Sequence, residues 1–577
     1  NALWSQLNVG EHTRLSPLRH SDSELVTPNL PNVFLALVPA ADARVIVADV
    51  ENAIRAEWQT IADAVWAFAF RENPATANRD RFDDQIARHL SIAWQTTPFP
   101  ASLDDAETLA SQLPDPSILA RFRLVRREFE KDKNKAFHDR RFYTDDAKTK
   151  LNSIGLAWSL IVALNHWQLD AVRKTRVFLS PRQEKEWAPV LKDALTGVEE
   201  QVFTDKADLS AAAMPFFKHD DPVAAATLVK RLWHLAYLRD RHELPERGFN
   251  MPNTYDLAQQ RGDDWEVNSA DDADTRSRDE GKYFAVLAFD GDDMGKWVSG
   301  EKAPPFRTQL ADYVDADGVR KGALEYFERI RADDFLNTPR LLTPSYHLQF
   351  SQALSNFALY AAPRVVAAHK GRLIYAGGDD VLAMLPADTA LACANDLQRV
   401  FRGLAPNIEC GIRAAHPGFL TFDRWETDRR RVFPAKADRA GNPLPFVVPG
   451  PRATASCGVA IAHFKAPLQD VVRAAQAAEK RAKRKWASQK LKHAFALTIL
   501  KRSGEITEWD ARFDNDDPKD APAFRRALPA FFAVTRAMDA DVLSANFPHK
   551  MLAFIAPYRS RNNTSDLTDF PVKQAVL

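Results

Sequence analysis

The chain has 577 residues, which is too long for a single hydrophobic core and indicates several domains. Its 77 basic and 77 acidic residues give zero formal net charge, whereas a free-standing nucleic-acid-binding protein is usually basic. Three cysteines lie far apart without a CxxC pair, so neither a disulfide framework nor a zinc ribbon is expected, and a reduced, cytoplasmic location is the default. No apolar run reaches about 18 residues, and no transmembrane helix is predicted.

The first half of the chain is predicted to be mostly helical. After a lead-in of residues 1–29, we interpret residues 30–115 as a first, degenerate palm domain, and residues 116–281 as a helical domain with a linker. The predicted elements are, in order, a strand at 33–38, a helix at 50–70, a strand at 90–94, a helix at 104–113, and helices at 156–172 and 224–238.

The stretch KYFAVLAFDGDDMGKW, at residues 282–297, combines an apolar strand with acidic residues. Its continuous apolar run is typical of a strand buried on both faces. Asp290 follows at the end of the run, and Gly291 and Asp292 lie in a turn that leads into a helix. Carboxylates at a strand end beside a helix N-terminus indicate a metal and nucleotide site. Asp292 and Asp293 are equally suited to cap the helix.

The stretch RLIYAGGDDVLAMLP, at residues 372–386, predicts a β-hairpin. Gly377 and Gly378 favour a tight turn, because glycine adopts positive φ without steric cost, and they allow close approach to a phosphate. Asp379 and Asp380 at the tip are the ligands that a hard cation such as Mg²⁺ requires. A solvated turn with two acidic residues is the alternative for this stretch alone.

The order of the predicted elements specifies the fold class. A strand, helical segments, the hairpin, a helix at 388–401 and a strand at 455–463 give the order βααββαβ, which describes a ferredoxin-like palm. The expected class is therefore α+β, with two ferredoxin-like palm domains interleaved with helical domains. The second palm is placed at residues 282–504, and a C-terminal helical domain at residues 505–577.

These motifs resemble the large palm-domain subunit of type III CRISPR effector complexes, most closely the type III-B (Cmr) branch. The stretches that carry the resemblance are FDGDDMG (289–295), YAGGDD (375–380), CGVAIAHFKAPL (457–468), AEKRAK (478–483), KRSG (501–504) and, less closely, PNLPNVFLALVP (28–39). The resemblance implies a complex with partner subunits, CRISPR RNA (crRNA) and target RNA. It also implies a palm that converts ATP into cyclic oligoadenylates with Mg²⁺ or Mn²⁺. Many proteins of this family carry a zinc knuckle with four cysteines before the palm, and this sequence lacks those cysteines.

The candidate catalytic and metal-binding residues are Asp290, Asp379 and Asp380. Joining two nucleotides requires two divalent ions about 3.5–4 Å apart, one activating the attacking hydroxyl and one holding the triphosphate. The candidate nucleotide-binding residues comprise glycines, acids, polar helix residues and basic helix residues: Gly291, Asp292, Gly377, Gly378, Ser355, Asn356, Lys480 and Lys483.

The basic and polar candidates lie on predicted helices. Lys480 and Lys483 share one face of a helix at 467–489, and the resemblance implies that they hold the β- and γ-phosphates; a solvated basic face is the alternative. Ser355 and Asn356 precede the hairpin and are candidates for contacting ribose or adenine, with an ordinary polar helix surface as the alternative.

Two other functions compete with a cyclic oligoadenylate synthase. One is a catalytically silent structural subunit that binds the crRNA 5′ region and partner subunits. The other is an enzyme like a diguanylate cyclase, which the wider resemblance disfavours. No HD nuclease is predicted, because the His-Asp pairs at 138–139 and 219–220 do not lie in the N-terminal position of that domain in related proteins.

Overall fold

The fold centres on a six-stranded β-sheet contributed by the second half of the chain. The structure is a computed structural model, and it describes residues 33–132, 153–176, 190–217, 221–239, 253–259, 283–310, 312–329, 331, 333–427, 432–438, 441–487, 492–513, 527–544 and 546–555. The predicted lead-in, both His-Asp pairs and most of the predicted linker lie outside these residues.

The strands of the described residues form one large sheet and three small ones. The large sheet has the order β13-β12-β11-β1-β5-β4, while β10-β7-β6, β2-β3 and β8-β9 form the small sheets. The strands are β1 (Tyr283–Gly291), β2 (Tyr313–Val314), β3 (Arg320–Lys321), β4 (Arg372–Gly377), β5 (Asp380–Pro386), β6 (Ile412–His416), β7 (Phe419–Phe422), β8 (Trp425–Glu426), β9 (Val432–Phe433), β10 (Phe446–Val447), β11 (Ala455–His463), β12 (Ala494–Leu500) and β13 (Ile506–Arg512).

Helices lie before, between and after the strands of the large sheet in the chain. They are α1 (Ala43–Ala69), α2 (Arg79–His89), α3 (Leu103–Ala110), α4 (Pro116–Asp132), α5 (Trp158–Lys174), α6 (Ala225–Trp233), α7 (Thr254–Ala258), α8 (Met294–Val298), α9 (Ala323–Arg329), α10 (Asp333–Asn337), α11 (Pro344–Asn356), α12 (Ala362–Ala368), α13 (Ala390–Phe401), α14 (Leu468–Lys485), α15 (Ala527–Asp539) and α16 (Phe547–Ile555). No helix among the described residues is both long and apolar enough to cross a membrane.

Strand β1 lies at the centre of the sheet and is buried on both faces, as its apolar run predicts. Because successive side chains of a strand point to opposite faces, its residues divide between two hydrophobic cores. Ala285, Leu287 and Phe289 join the core that α12 and α13 cover. Phe284 and Val286 join the core that α7 and α14 cover. A strand enclosed in this way holds its final residue in a fixed position at the edge of the sheet.

The core of the sheet has the predicted ferredoxin-like arrangement. Strand β1 pairs antiparallel with both β5 and β11, and β4 pairs antiparallel with β5. The predicted strand at 455–463 and the helix at 388–401 are confirmed by β11 and α13. The α+β class is therefore confirmed for this part of the chain.

The sheet extends beyond the predicted end of the second palm. Strand β12 pairs parallel with β11, and β13 pairs antiparallel with β12 over residues 506–512. The prediction of a helical domain beginning at residue 505 is wrong for this segment. The KRSG stretch forms the turn between the two strands, and its Gly504 has a φ of +87°. Two helices, α15 and α16, do follow the sheet, as predicted.

The first palm domain is not supported by the secondary structure of residues 33–115. Helices α1 and α3 confirm the two predicted helices, but no strand occurs among these residues, all of which the structure describes. The strands predicted at 33–38 and 90–94 are wrong. The reason is visible at the first of them, where Phe34 and Leu37 are 68% and 67% exposed. β-Prone residues do not form a strand without a neighbouring strand to pair with.

Candidate metal and nucleotide site

Three carboxylates meet at one edge of the large sheet. Asp290 is the penultimate residue of β1, and Asp379 and Asp380 lie at the turn between β4 and β5. Because β1 pairs with β5, with Phe289 opposite Val381, the hairpin turn comes next to the end of β1. One carboxylate oxygen from each aspartate lies within 4.8 Å of the others. The structure thus brings together the three residues that the sequence predicts as a metal site.

Two glycines make this approach possible. Gly378 has a φ of +77°, a conformation that favours glycine, and it reverses the chain in the hairpin. Gly291 lies against the turn, where a Cβ atom would come within 2.9 Å of both the Cβ and the Oδ2 atoms of Asp379. A side chain at residue 291 would therefore separate the turn from the strand, so Gly291 leaves the room that the acidic group requires.

Burial and the crowding of the carboxylates raise the pKa values of Asp379 and Asp380. Burial raises the pKa of Asp379 to about 6, and repulsion from Asp290 adds to the shift. Burial, a hydrogen bond with Asp290 and repulsion also raise the pKa of Asp380. Asp380 is the most exposed of the three, and repulsion from Asp290 and Asp379 adds to the effect of burial on its pKa. A cation would relieve this repulsion.

Lys483 is the cation that the chain itself supplies to the acidic group. Its Nζ atom contacts the Asp290 carboxylate, donates to the Gly291 carbonyl oxygen at 3.1 Å and lies 3.0 Å from Oε1 of Glu479. Burial alone would lower the pKa of Lys483, but Asp290 and Glu479 together raise it above its usual value. The sequence predicts Lys483 as a site residue, whereas it gives no role to Glu479.

Helix α14 holds Lys483 in place because it packs directly on β11. At Gly458 a Cβ atom would lie 2.1 Å from the Ala475 carbonyl oxygen and 2.2 Å from the Glu479 backbone nitrogen. The helix therefore lies closer to the strand than a side chain at residue 458 would permit. Lys480, on the same helix, is exposed, and within the described part of the chain it makes no ion pair with the acidic group. Its predicted role in phosphate binding stays a prediction.

Asp292 occupies a different position from the one predicted. Its residue is 1% exposed, and its carboxylate accepts hydrogen bonds from the hydroxyls of Thr454 and Ser456, at 2.8 Å each, and from the backbone N–H of His493 at 3.0 Å. These donors connect the end of β1 to β11 and β12. The nucleotide-binding prediction for Asp292 is not supported, because its carboxylate is fully engaged inside the protein.

Asp293, two residues beyond the end of β1, pairs with two lysines. It has a left-handed backbone with φ of 56°, and its side chain makes no capping hydrogen bond to α8, so the capping prediction is wrong. It accepts instead from Lys302 and Lys492 at 2.7 Å each. Burial alone would raise its pKa, but these two lysines lower the pKa of Asp293 to about 2. The spacing along the sequence does not predict that Asp293 pairs with Lys492, since the two residues are 199 positions apart.

Helix α11 ends beside the hairpin, but its two candidate residues differ. Asn356 is 2% exposed, donates to the Val447 carbonyl oxygen at 2.8 Å and accepts from Gln352 at 2.7 Å. Its amide therefore attaches α11 to β10, and a role in nucleotide binding is not supported. Ser355 is exposed, and the preceding Leu354 lies 3.9 Å from the place of a Cβ atom on Gly378. Ser355 stays a candidate.

The donor set fits a hard divalent cation. Mg²⁺ and Mn²⁺ prefer carboxylate oxygens, and three such oxygens converge here with space provided by Gly291. His and Cys side chains, which zinc prefers, do not belong to this group. The arrangement can therefore hold Mg²⁺ or Mn²⁺ and present it beside Lys483.

The sheet, its strand-end aspartate and its Gly-Gly-Asp-Asp hairpin define a palm domain of the nucleotidyltransferase-like class. Residues 283–417 match the family model described as Cas10/Cmr2, second palm domain. The family match applies to this part of the chain, which contains β1 and the hairpin.

Two curated relatives are similar over part of the chain. The CRISPR system Cmr subunit Cmr2 of Pyrococcus furiosus is 36% identical over 156 residues, which are 26% of this chain and 16% of that protein. The CRISPR system CMR subunit Cmr2 of Saccharolobus solfataricus is 36% identical over 92 residues, which are 16% of this chain and 8% of that protein. The chain therefore matches less than a fifth of the length of either relative.

A solved structure is similar over a longer range. It is a chain of the type III-B Cmr-beta complex in the apo state, which has 14% sequence identity, a TM-score of 0.44, and coverage of 81% of this chain and 62% of that chain.

Proposed function

We propose that this chain is the large palm-domain subunit of a type III-B CRISPR effector complex, and that its palm joins ATP into cyclic oligoadenylates when target RNA binds. The observation that carries the proposal is the convergence of Asp290, Asp379 and Asp380 beside Lys483. A palm that served only as a scaffold would not need three repelling carboxylates at one position, because such a group destabilises the fold unless a cation is bound.

The acidic group would hold two divalent cations, Mg²⁺ or Mn²⁺. When bound, such ions would activate a ribose 3′-hydroxyl for in-line attack on an α-phosphate and neutralise the pyrophosphate that leaves as the bond between the α- and β-phosphates breaks. Asp290 would contribute from the strand end and Asp379 and Asp380 from the hairpin, so that the cations lie between two rigid elements. Rigid placement matters because the reacting groups must be held close together and in line.

The remaining polar groups would contact ATP. Lys483 contacts Asp290 of the acidic group, and we assign to it the β- and γ-phosphates. Gly377 and Gly378 would let the triphosphate approach the hairpin backbone, since neither has a side chain. Ser355, exposed at the end of α11, is the candidate for contacting the sugar or the base.

The partners follow from the same proposal. They are the other subunits of the complex, the crRNA and a target RNA, in the cytoplasm. Target RNA would act as the activator, so that ATP is consumed only while the complex is bound to a complementary strand. The other function in contention, a structural subunit without catalysis, predicts RNA binding with no nucleotide turnover.

The test is incubation of the assembled complex with Mg²⁺ or Mn²⁺ and labelled ATP, with and without complementary target RNA. Products are separated by mass, and GTP replaces ATP in a parallel reaction. Adenylate oligomers that form only with target RNA are the expected result. RNA binding without any product, under either metal, would overturn the catalytic proposal, and turnover of GTP in place of ATP would favour a diguanylate-cyclase-like enzyme.

A further inference from the structure

The ammonium group of Lys483 is surrounded by oxygen atoms of three residues. It contacts the Asp290 carboxylate, the Gly291 carbonyl oxygen at 3.1 Å and Oε1 of Glu479 at 3.0 Å. Two of these contacts, to Asp290 and Gly291, are hydrogen bonds, and the contact with Glu479 is an ion pair. Lys483 thereby occupies one of the two carboxylate oxygens of Asp290, which is a metal ligand in the proposed function.

A divalent cation bound to the Asp290 carboxylate would lie beside the Lys483 ammonium group, which contacts Oδ2 of the same carboxylate. Their positive charges would repel each other strongly in a partly buried site, where the Lys483 and Asp290 side chains are 19% and 34% exposed. Binding of a cation by Asp290 therefore requires that the ammonium group withdraws. Withdrawal into a place without a partner would leave a partly buried charge unpaired, which is costly.

Glu479 provides the place to which Lys483 can withdraw. It lies four residues before Lys483 on α14, so the two side chains are neighbours on one face of the helix. Its side chain is 10% exposed, and its backbone nitrogen lies against Gly458 of β11, which fixes its position relative to the sheet. Glu479 does not belong to the group of carboxylates that lie within 4.8 Å of one another, so it is outside the predicted metal ligands.

We infer that Glu479 is a positioning residue, which retains the Lys483 ammonium group when a divalent cation takes its place on Asp290. The inference rests on the metal site of the proposed function. Glu479 pairs with the ammonium group both before and after the exchange, so that Lys483 remains beside the cations, where the triphosphate of ATP would lie. Without Glu479, Lys483 has Asp290 as its carboxylate partner and competes with the cation.

The inference predicts a specific coupling between two residues in metal binding. Glu479→Gln weakens Mn²⁺ binding about tenfold, a value within the usual range for coupled neighbours. Lys483→Met removes the competing ammonium group, and in this background Glu479→Gln changes the affinity less than about twofold. Glu479→Asp keeps the charge but shortens the side chain, and it weakens binding to an intermediate extent.

The experiment measures free Mn²⁺ by electron paramagnetic resonance during titration of the full chain, without nucleotide. Glu508→Gln is the matched control, since Glu508 pairs with Arg481 of the same helix at 2.6 Å and its loss removes the same charge. We expect this control to bind Mn²⁺ as the wild type does. Thermal unfolding of each variant verifies that it folds. If Glu479→Gln does not fold, Glu479→Asp is used in its place.

The outcomes separate this inference from the proposed function. Loss of affinity in Glu479→Gln that disappears in the Lys483→Met background supports it. An equal loss of Mn²⁺ affinity in the wild-type and Lys483→Met backgrounds overturns the inference, because Glu479 would then act on the cation directly. An unchanged Mn²⁺ affinity in Glu479→Gln also overturns the inference. If neither the wild type nor Lys483→Met binds Mn²⁺, the proposed metal site itself fails, and the inference fails with it.

Discussion

Substitution of Gly458 by alanine tests how closely helix α14 must pack for the site to form. Gly458 lies in β11 opposite Ala288 of β1, and an added Cβ atom would lie 2.1 Å from the Ala475 carbonyl oxygen. Because carbon and oxygen atoms require more than about 3 Å, the helix must move away by about 1 Å. Overpacking of this kind costs about 1–3 kcal/mol. The same movement would carry Lys483 away from Asp290.

Hydrogen exchange followed by mass spectrometry measures this effect locally, which suits a chain with several domains. A loss of about 1–3 kcal/mol accelerates exchange of protected amides in β11 and α14 by about 5- to 150-fold at 25 °C. Amides of α1 and α6, which belong to a separate hydrophobic core, should exchange at the wild-type rate. Gly295→Ala is the control, because a Cβ atom at Gly295 has no neighbour within 4 Å. Wild-type exchange in β11 and α14 of Gly458→Ala would refute the packing described here.

Three further predictions concern the carboxylates. Replacement of both Asp379 and Asp380 by alanine should abolish nucleotide product while leaving RNA-guided binding intact, measured by mass and by electrophoretic mobility. Without metal, the raised pKa values of Asp379 and Asp380 mean that these carboxylates bind protons more tightly in the folded protein than in the unfolded chain. The folded protein therefore loses stability as the pH rises from about 4 to about 8. A variant with asparagine at both positions should therefore gain in melting temperature over the wild type across that range in EDTA. Asp292→Asn should cost about 1–3 kcal/mol in denaturant unfolding, because an amide cannot accept from all the donors around it.

Each of these has an outcome that contradicts it. Disassembly of the complex by the double alanine variant would show that the hairpin acids are structural. Parallel melting curves of the wild type and the double asparagine variant across this pH range would mean that the pKa values of Asp379 and Asp380 are not raised in the folded state. Excess Mg²⁺ or Mn²⁺ should reduce the difference between those two proteins. Wild-type stability of Asp292→Asn would show that the carboxylate is not buried among its three donors.

The sequence by itself determined the central strand and the hairpin. A continuous apolar run gives a strand enclosed on both faces, because each face must find apolar neighbours, and β1 has this arrangement. A Gly-Gly pair between two β-prone runs gives a tight turn for local steric reasons. Asp290, Asp379 and Asp380 follow from these two elements, since each lies at a strand end or in the turn.

Similar sequence patterns gave wrong predictions where a strand depends on pairing with a strand from another part of the chain. The run at residues 33–38 has β-prone residues, yet it remains unpaired and exposed. Residues 506–512 form β13 because β12 offers a free edge, although the adjoining sequence is helical in α15. Strand formation depends on pairing between segments, and a single segment does not contain that information.

Only the tertiary structure decided which charged residues surround the acidic group and which are buried away from it. Asp292 and Asp290 are two residues apart, yet one is enclosed by donors from β11 and β12 and the other faces Lys483. No sequence pattern assigned Glu479 or Lys492 to the site, because the packing of α14 on β11 and the approach of Lys492 to Asp293 bring these side chains to the end of β1. The local pattern thus specifies the elements, while their packing specifies the charges that meet between them.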